Sequence, residues 1–497
     1  MKWGRPESQF SHWTIALSEH GYELLLGIVF LAHLFLAHYL PPAEDELYYW
    51  TWSQQFSWSY FDHPPITAWV ISASTSLLGN TILGIRLPAV LIHLYLLYRL
   101  GTLSENKSVL TLLLFTPLSF FGAVLMTPDI PLVLFWFLYV LWAARVESDF
   151  SSWNDDPVSR VYRQQPVPLR TWLLGGVWLG LGLLSKYTLG LAPICFFFLL
   201  ASKYRFRAWA QGFLFHGLAA LLLFLPVLLF NFQFHFSPLL FQWNHTHHSV
   251  PFSFLFSYLG TQILLVGALP FLLIPWLIIN YRSLSQLPAS RTHIFFFIMP
   301  LIFFLYKSTH HFLEANWGLV AYLSFWPLSS LFVLHNSFRA LVWSTLFLGF
   351  VVPLAVSLLL LIHFFRPLPW IAPHQDRLAK MAAQNLLIKQ LAADFKDLKH
   401  IPVFTNSYQW TSYFRFHGFS LANQTPDAGR PSQYTLIPSR PCSNKTVLFF
   451  NHPGENLPQA LECFRKKTIL AQIPLFVRGQ ATTSWELVEL SQPETEK

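Results

Sequence analysis

The sequence predicts an α-helical polytopic membrane protein of about 11 transmembrane helices with a small C-terminal α/β domain outside the cytoplasm. Three observations predict it. Only 11% of the 497 residues are charged and 54% are hydrophobic, whereas a soluble domain carries roughly a quarter charged residues. Apolar stretches of near-spanning length recur as far as residue 364. Past Pro367 the composition changes, and residues 366–497 hold 15 Lys or Arg and 10 Asp or Glu.

The apolar stretches fall at 22–40, 86–103, 108–126, 129–145, 171–185, 187–202, 209–230, 258–280, 292–306, 317–334 and 340–364. Several are shorter than the ~20 residues of a straight span. The first, from Tyr22, is too long for a signal-peptide core and lacks a small-residue cleavage site, so it reads as a retained span. Residues 64–79 are apolar but short and open on Pro64-Pro65, which suits a helix lying at the interface. With a cytoplasmic N-terminus, fourteen Lys and Arg of residues 1–365 fall inside, among them Arg145, Lys203, Arg205, Arg207, Arg282, Arg291 and Arg339. Only Arg86, Lys186 and Lys307 fall outside. This is a positive-inside bias. The same topology puts Glu44, Asp45, Glu46, Asp62, Asp129 and Glu314 on the outer face. The net charge of +8 is therefore topological, and a nucleic-acid partner is not expected.

The expected domains are a membrane domain, 1–365, with a first outer loop at 41–85, and an outer α/β domain, 366–497. The latter should contain a helix over 374–398 and strands at "PVFTN", "QYTLIP", "TVLFF" and "IPLFV". Cys442 and Cys463 lie in it and can pair if that face is oxidising. Cys195 lies in a span and suits a packed core.

The chemistry-bearing residues cluster on the outer face. Asp45 stands in a loop crowded with Tyr48, Tyr49, Trp50, Trp52, Trp58, Tyr60 and Phe61. Aromatic walls should desolvate it in part and tune it toward base duty. Glu46 shares the turn. In "SYFDHPPI", Pro64 and Pro65 stiffen the backbone and present Asp62 and His63, a pair suited to a divalent metal or an acceptor, or to a helix cap by Asp62. Asp129, in "MTPDIPL", sits at a span boundary, where an acid calls for a partner. Arg86 and Lys186 break the positive-inside pattern. They either snorkel to lipid phosphate or hold an anionic, membrane-soluble ligand. "FQWNHTHH" and "KSTHHFLEANW" supply His245, His311, Glu314, Asn316 and Trp317. Their amide, carboxylate and indole groups suit a sugar or headgroup. The histidines show no helical metal spacing.

Together these motifs resemble the bacterial membrane-embedded type C glycosyltransferases, of the protein O-mannosyltransferase-like and aminoarabinose lipid A transferase kind. The resemblance rests on Asp45-Glu46 with the following "YYW", the "YFDHPPI" of Tyr60 to Ile66, Arg86 to Pro88, the "TPDIPL" of Thr127 to Leu132, "LSKYT" at Leu184 to Thr188, "EANW" at Glu314 to Trp317, and "GRPSQYTL" from Gly429. It implies a many-helix fold with an outward cavity in a bacterial inner membrane. The active site and C-terminal domain would be periplasmic. It implies a polyprenyl-phosphate sugar donor and a glycolipid or protein acceptor. Catalytic roles pass to Asp45, Glu46 and Asp129, with Asp45 as base. Donor-phosphate binding passes to Arg86, Lys186 and Tyr187, and acceptor or sugar contacts to His63, His311, Glu314, Asn316 and Trp317. No cofactor is required. In the aminoarabinose relatives a metal is bound near the site, and Asp62 and His245 occupy the matching positions for an ion such as zinc in a structural role. The same relatives have Lys where this chain has His63.

The residue chemistry agrees with that reaction. A lipid-phosphate leaving group is already anionic and needs positive charge rather than a general acid, the acceptor hydroxyl needs a base, and one displacement inverts the anomeric carbon. The rival class is a polyprenyl-lipid transporter or flippase, which would place ionisable groups at the midplane, often with repeats. Here the acids gather at one face and no repeat is visible.

Overall fold

The structure is a computed structural model that describes residues 19–104, 107–155, 167–245, 254–287, 289–336, 338–436 and 439–493. The described residues form two compact units. The first takes those up to Ala37, with His63–Thr67 and Arg86–Leu360; the second takes His38–Asp62, Ala68–Ile85 and those from Leu361 onward. The expected membrane domain, 1–365, is thus not one unit, because most of the loop 41–85 groups with the C-terminal residues. Packing is the reason: helix Glu44–Ser53 lies against helix Tyr408–Phe416, and the rings of Trp50 and Phe416 meet edge-on at 5.0 Å.

In the first unit and its continuations, six helices are long and apolar enough to cross a membrane: His20–Tyr39, Ile82–Leu103, Asp129–Trp153, Phe206–Gln233, Ala315–His335 and Arg339–Phe365. A bent pair, Leu255–Val266 and Leu269–Ile279, makes up to seven. The chain is a multi-pass membrane protein. Helices satisfy every backbone group internally, which the bilayer demands. Helix Ser290–Ser308 and the shorter apolar helices Leu169–Leu183 and Leu191–Ala201 complete the bundle.

Two of the eleven expected spans are broken. Residues 108–126 become Lys107–Leu114, Pro117–Phe120 and a 3-10 turn, Gly122–Val124. Pro117 is the first residue of its helix and lacks the N–H that would continue the preceding one. The stretch 258–280 turns by 106° beside Gly267, whose φ is 94°. A Cβ there would sit 2.1 Å from the carbonyl oxygen of Gly349, so only glycine fits.

Burial sorts the helices. Asp129–Trp153 and Ala315–His335 are mostly enclosed, whereas Phe206–Gln233 is only 17% buried and exposes Leu214, Leu218, Leu221, Leu222, Leu225 and Leu229. That spacing draws one stripe along the helix, a lipid-facing surface. Its other side meets Leu169–Leu183 closely. Gly176 and Gly180, four residues apart, face His216, Ala219 and Leu223 at distances that leave no room for a Cβ, a small-residue interface of the membrane type.

The second unit carries a five-stranded sheet in the order β2-β1-β3-β5-β4, with β1 Val403–Thr405, β2 Asn423–Gln424, β3 Thr446–Asn451, β4 Phe464–Val477 and β5 Gln480–Pro493. β1 runs parallel to β2 and β3, and the β3–β5 and β4–β5 pairs are antiparallel. The expected strands at "PVFTN", "TVLFF" and "IPLFV" are present, and "QYTLIP" is not a strand where described. Arg478 and Gly479 both take positive φ between β4 and β5, as a tight two-residue hairpin turn requires. The expected helix is Arg377–Asp394, capped by Asp376, whose carboxylate accepts from the Ala379 N–H at 2.9 Å. Cys442 and Cys463 form a disulfide, and Cys195 is free and buried.

Candidate functional site

In each unit a polar cluster gathers residues that the sequence reading singled out. In the first, Asp129 opens helix Asp129–Asp155, where the helix dipole favours negative charge. Its buried carboxylate accepts from Lys186 Nζ at 2.8 Å and from Asn316 Nδ2 at 2.6 Å. Lys186 is the extended residue before the 3-10 turn Tyr187–Gly190, and its ammonium lies 5.7 Å from the Trp317 ring centroid. Asn316 and Trp317 sit in the turn Ala315–Gly318. Three separate motifs thus converge on one ion pair. Glu314 is exposed at the head of that turn, and His311 is half-buried with its ring 6.2 Å from His310. Tyr187 meets Phe224 edge-on at 6.1 Å.

Arg86 lies in helix Ile82–Leu103 and is fully buried. Its Nη1 donates to the Ala37 carbonyl at 3.3 Å, near the C-terminal, negative end of helix Glu19–Tyr39. A buried cation is costly, and inside a membrane protein it makes the position a candidate functional one. His63 is half-buried in the same unit.

The cluster of the second unit is built on Asp45 and Asp62. Asp45 Oδ1 accepts from the Tyr408 hydroxyl at 2.9 Å. Asp45 is exposed, so the expected desolvation by aromatic walls does not occur. Burial falls instead on Asp62, 4% exposed. Its Oδ2 accepts from the Tyr48 hydroxyl at 2.8 Å and its Oδ1 from Arg430 Nη2 at 2.9 Å. Burial raises the Asp62 carboxyl above its ordinary value, and Arg430 works against that shift. Burial, followed by the charge of Asp45, pushes Tyr408 well above the usual phenol range, so its hydroxyl stays a donor. Glu46 turns back onto the backbone and accepts from the Ala43 N–H at 3.0 Å, capping its own helix.

The stretch "GRPSQY" holds this cluster together. Arg430 stacks over the Tyr408 ring at 4.5 Å while reaching Asp62. The Gln433 side-chain oxygen accepts from the Phe61 N–H at 2.8 Å, and its own N–H donates to the Tyr48 oxygen at 2.6 Å. The Tyr434 hydroxyl lies 2.8 Å from Thr51 Oγ1 and 2.9 Å from Ser412 Oγ. Tyr408 and Arg430 join this cluster and were not singled out by the sequence, although Arg430 lies in the "GRPSQYTL" motif.

The metal expectation fares differently. His245 ends helix Ser237–His245, and its side chain lies outside what the structure describes. Both oxygens of Asp62 are engaged, one of them by a guanidinium in the place a cation would take. An ion at Asp62 does not fit this arrangement. Among the described residues, no group of three or more His, Cys, Asp or Glu is placed to hold a metal.

The family described as dolichyl-phosphate-mannose-protein mannosyltransferase matches residues 62–155 and 158–230. The chain also aligns over 95% of its length with 98% of the crystal structure of ArnT from Cupriavidus metallidurans bound to undecaprenyl phosphate, at 14% identity and a TM-score of 0.59. The apo structure of that protein gives the same values. Residues 62–155 and 158–230, about a third of the chain, are thus similar to that mannosyltransferase family. The ArnT structures establish the shared fold. A lipid A galacturonosyltransferase, RgtD of Rhizobium johnstonii, is 51% identical over 51 residues, which span 10% of this chain and 11% of that protein. The mannosyltransferase family match includes Asp62, Arg86, Asp129 and Lys186. Asp45, Tyr408 and Arg430 lie outside it.

Proposed function

We propose that the protein is an inverting glycosyltransferase that moves a sugar from a polyprenyl-phosphate donor to lipid A or another glycolipid on the periplasmic face of a bacterial inner membrane. The observation that carries this reading is an exposed carboxylate, Asp45, held by a tyrosine that stays protonated. In this reading Asp45 takes the proton of the acceptor hydroxyl. The acceptor oxygen attacks the anomeric carbon, and the bond to the polyprenyl phosphate breaks on the opposite side. The electron pair leaves with the phosphate, whose charge Arg86 and Lys186 stabilise. His63, His311, Glu314, Asn316 and Trp317 are assigned to acceptor or sugar contacts. No step passes through a metal.

The donor class is supported by the family description and by the undecaprenyl phosphate bound to ArnT. The glycolipid acceptor is supported by the local similarity to RgtD, a lipid A galacturonosyltransferase. A second reading, transfer to secreted protein, is favoured by the family description alone. Mass spectrometry of surface glycolipids and secreted proteins, from cells with and without the gene, separates the two. Loss of a sugar from lipid A supports the first, and loss from protein supports the second. No change in either class overturns both.

A further inference from the structure

The end of helix Asp129–Asp155 remote from Asp129 borders a cavity of about 700 Å3 that the proposed transfer reaction does not use. Phe150 and Trp153 contribute from the helix, Lys203, Tyr204 and Arg205 from the connection that leads into helix Phe206–Gln233, and Arg207 from the first turn of that helix. Phe150 lies 21 residues after Asp129, about 31 Å along a helix rising 1.5 Å per residue, which is the thickness of a bilayer core. The cavity therefore belongs to the membrane face opposite the Asp129–Lys186 pair.

Lys203, Arg205 and Arg207 are exposed at its rim, and among the described residues its lining contains no carboxylate. Two acids in the turn before Phe150 are committed elsewhere: Glu147 pairs with Arg291 at 3.0 Å, and Asp149 pairs with Arg145 at 3.2 Å. Among the described residues, Arg205 and Arg207 form no ion pair. The floor is fixed. Tyr204 is buried with its ring 4.9 Å from Phe150, and its hydroxyl donates to the Glu147 carbonyl at 3.3 Å. Arg291, which pairs with that same glutamate, also donates to Ser202 Oγ at 2.8 Å.

The apolar side of the cavity continues into the membrane. Phe206, at its edge, is 61% exposed, and the leucine stripe of helix Phe206–Gln233 begins two turns later. A soluble phosphate would have no use for that stripe, and an acyl chain would cover it. We propose that this cavity binds an anionic glycerophospholipid of the leaflet opposite the active face, with the lipid phosphate among Lys203, Arg205 and Arg207 and an acyl chain along the leucine stripe. Cations close to a bilayer surface attract anionic lipid, and arginine adds two-pronged contact to phosphate.

The test is native mass spectrometry of the full-length, detergent-purified protein offered dioleoyl-phosphatidylglycerol and dioleoyl-phosphatidylcholine in equal amounts. The wild type should retain the anionic lipid in preference, and R205Q/R207Q should lower that preference by about tenfold. R282Q/R339Q, which removes two exposed cations elsewhere in the same unit, should leave it unchanged. Thermal midpoints in phosphatidylcholine verify that all three proteins are folded; if the double arginine variant is not, K203Q replaces it and should lower the preference by a smaller factor. Equal loss in the two double variants would mean that overall charge, not the cavity, selects the lipid, and would overturn the proposal. Displacement of the lipid by millimolar glycerol 3-phosphate would assign the cavity to a soluble phosphate and would overturn it as well.

Discussion

The Tyr408 hydroxyl donates to Oδ1 of Asp45 at 2.9 Å across 363 residues of sequence. The contact lies where helix Tyr408–Phe416 crosses helix Glu44–Ser53, so the C-terminal residues hold the proposed base by their own fold. Two variants separate the base from its anchor. Asp45→Asn keeps the size and removes the base, and turnover should fall about 100-fold or more. Tyr408→Phe removes one hydrogen bond to a charged group, of about 1.5–3 kcal/mol, and turnover should fall roughly tenfold while donor KM is unchanged. Wild-type turnover in Asp45→Asn would remove Asp45 from its role.

The candidate acids of the first loop and Asp129 were legible because such acids stand out in a chain so poor in charge. Asp129 was expected to need a partner, and Lys186 supplies it. What the sequence could not show was which acid is buried. Asp45 and Asp62 share one aromatic loop, but only Asp62 faces inward, to Tyr48 and Arg430, because Gln433 clamps the Phe61 backbone. Contacts of more than 360 residues' separation leave no periodic trace. The breaks in 108–126 and 258–280 escaped the sequence for a local reason: hydropathy sums are blind to Pro117 and Gly267, where the backbone breaks.

Lys186 is the counter-ion of Asp129 and the proposed donor-phosphate contact, and a double variant can divide the two. Lys186→Met leaves the buried Asp129 carboxylate without its cation, a loss of about 3–5 kcal/mol for a broken buried pair, and should also weaken donor use. Adding Asp129→Asn removes the stranded charge. The double variant should regain thermal stability in detergent but not donor KM. Recovery of both would reduce Lys186 to a counter-ion.

Arg86 offers a test of the donor phosphate. Arg86→Ala should abolish measurable donor use, and Arg86→Lys should recover part of it, because an ammonium supplies charge without the planar two-pronged contact of a guanidinium. The readout is transfer rate against polyprenyl-phosphate sugar concentration. Alanine and lysine variants of equal activity would show that charge at this position does nothing for the donor.

His417 sets a pH limit on the second unit. Its imidazole is half-buried after helix Tyr408–Phe416, with Nε2 2.9 Å from Asn385 Oδ1. Burial, with the nearby charges of Lys389 and Lys399, lowers its pKa from 6.5 to about 4. The folded protein therefore keeps His417 neutral at a pH where the unfolded chain takes up a proton. Stability from this residue is fully present above pH 6.5 and declines as pH falls through the window down to about 4. His417→Gln retains a donor for Asn385 and cannot titrate. Thermal midpoints of the full-length protein, followed by the signal of the C-terminal sheet, should fall less steeply for the variant than for the wild type across that window. Equal slopes would place the acid sensitivity in another group, and Asp62 is not that group. Its carboxyl is shifted upward by burial, so the folded state holds the Asp62 proton more tightly than the unfolded chain does, and acid acts on that residue in the stabilising direction.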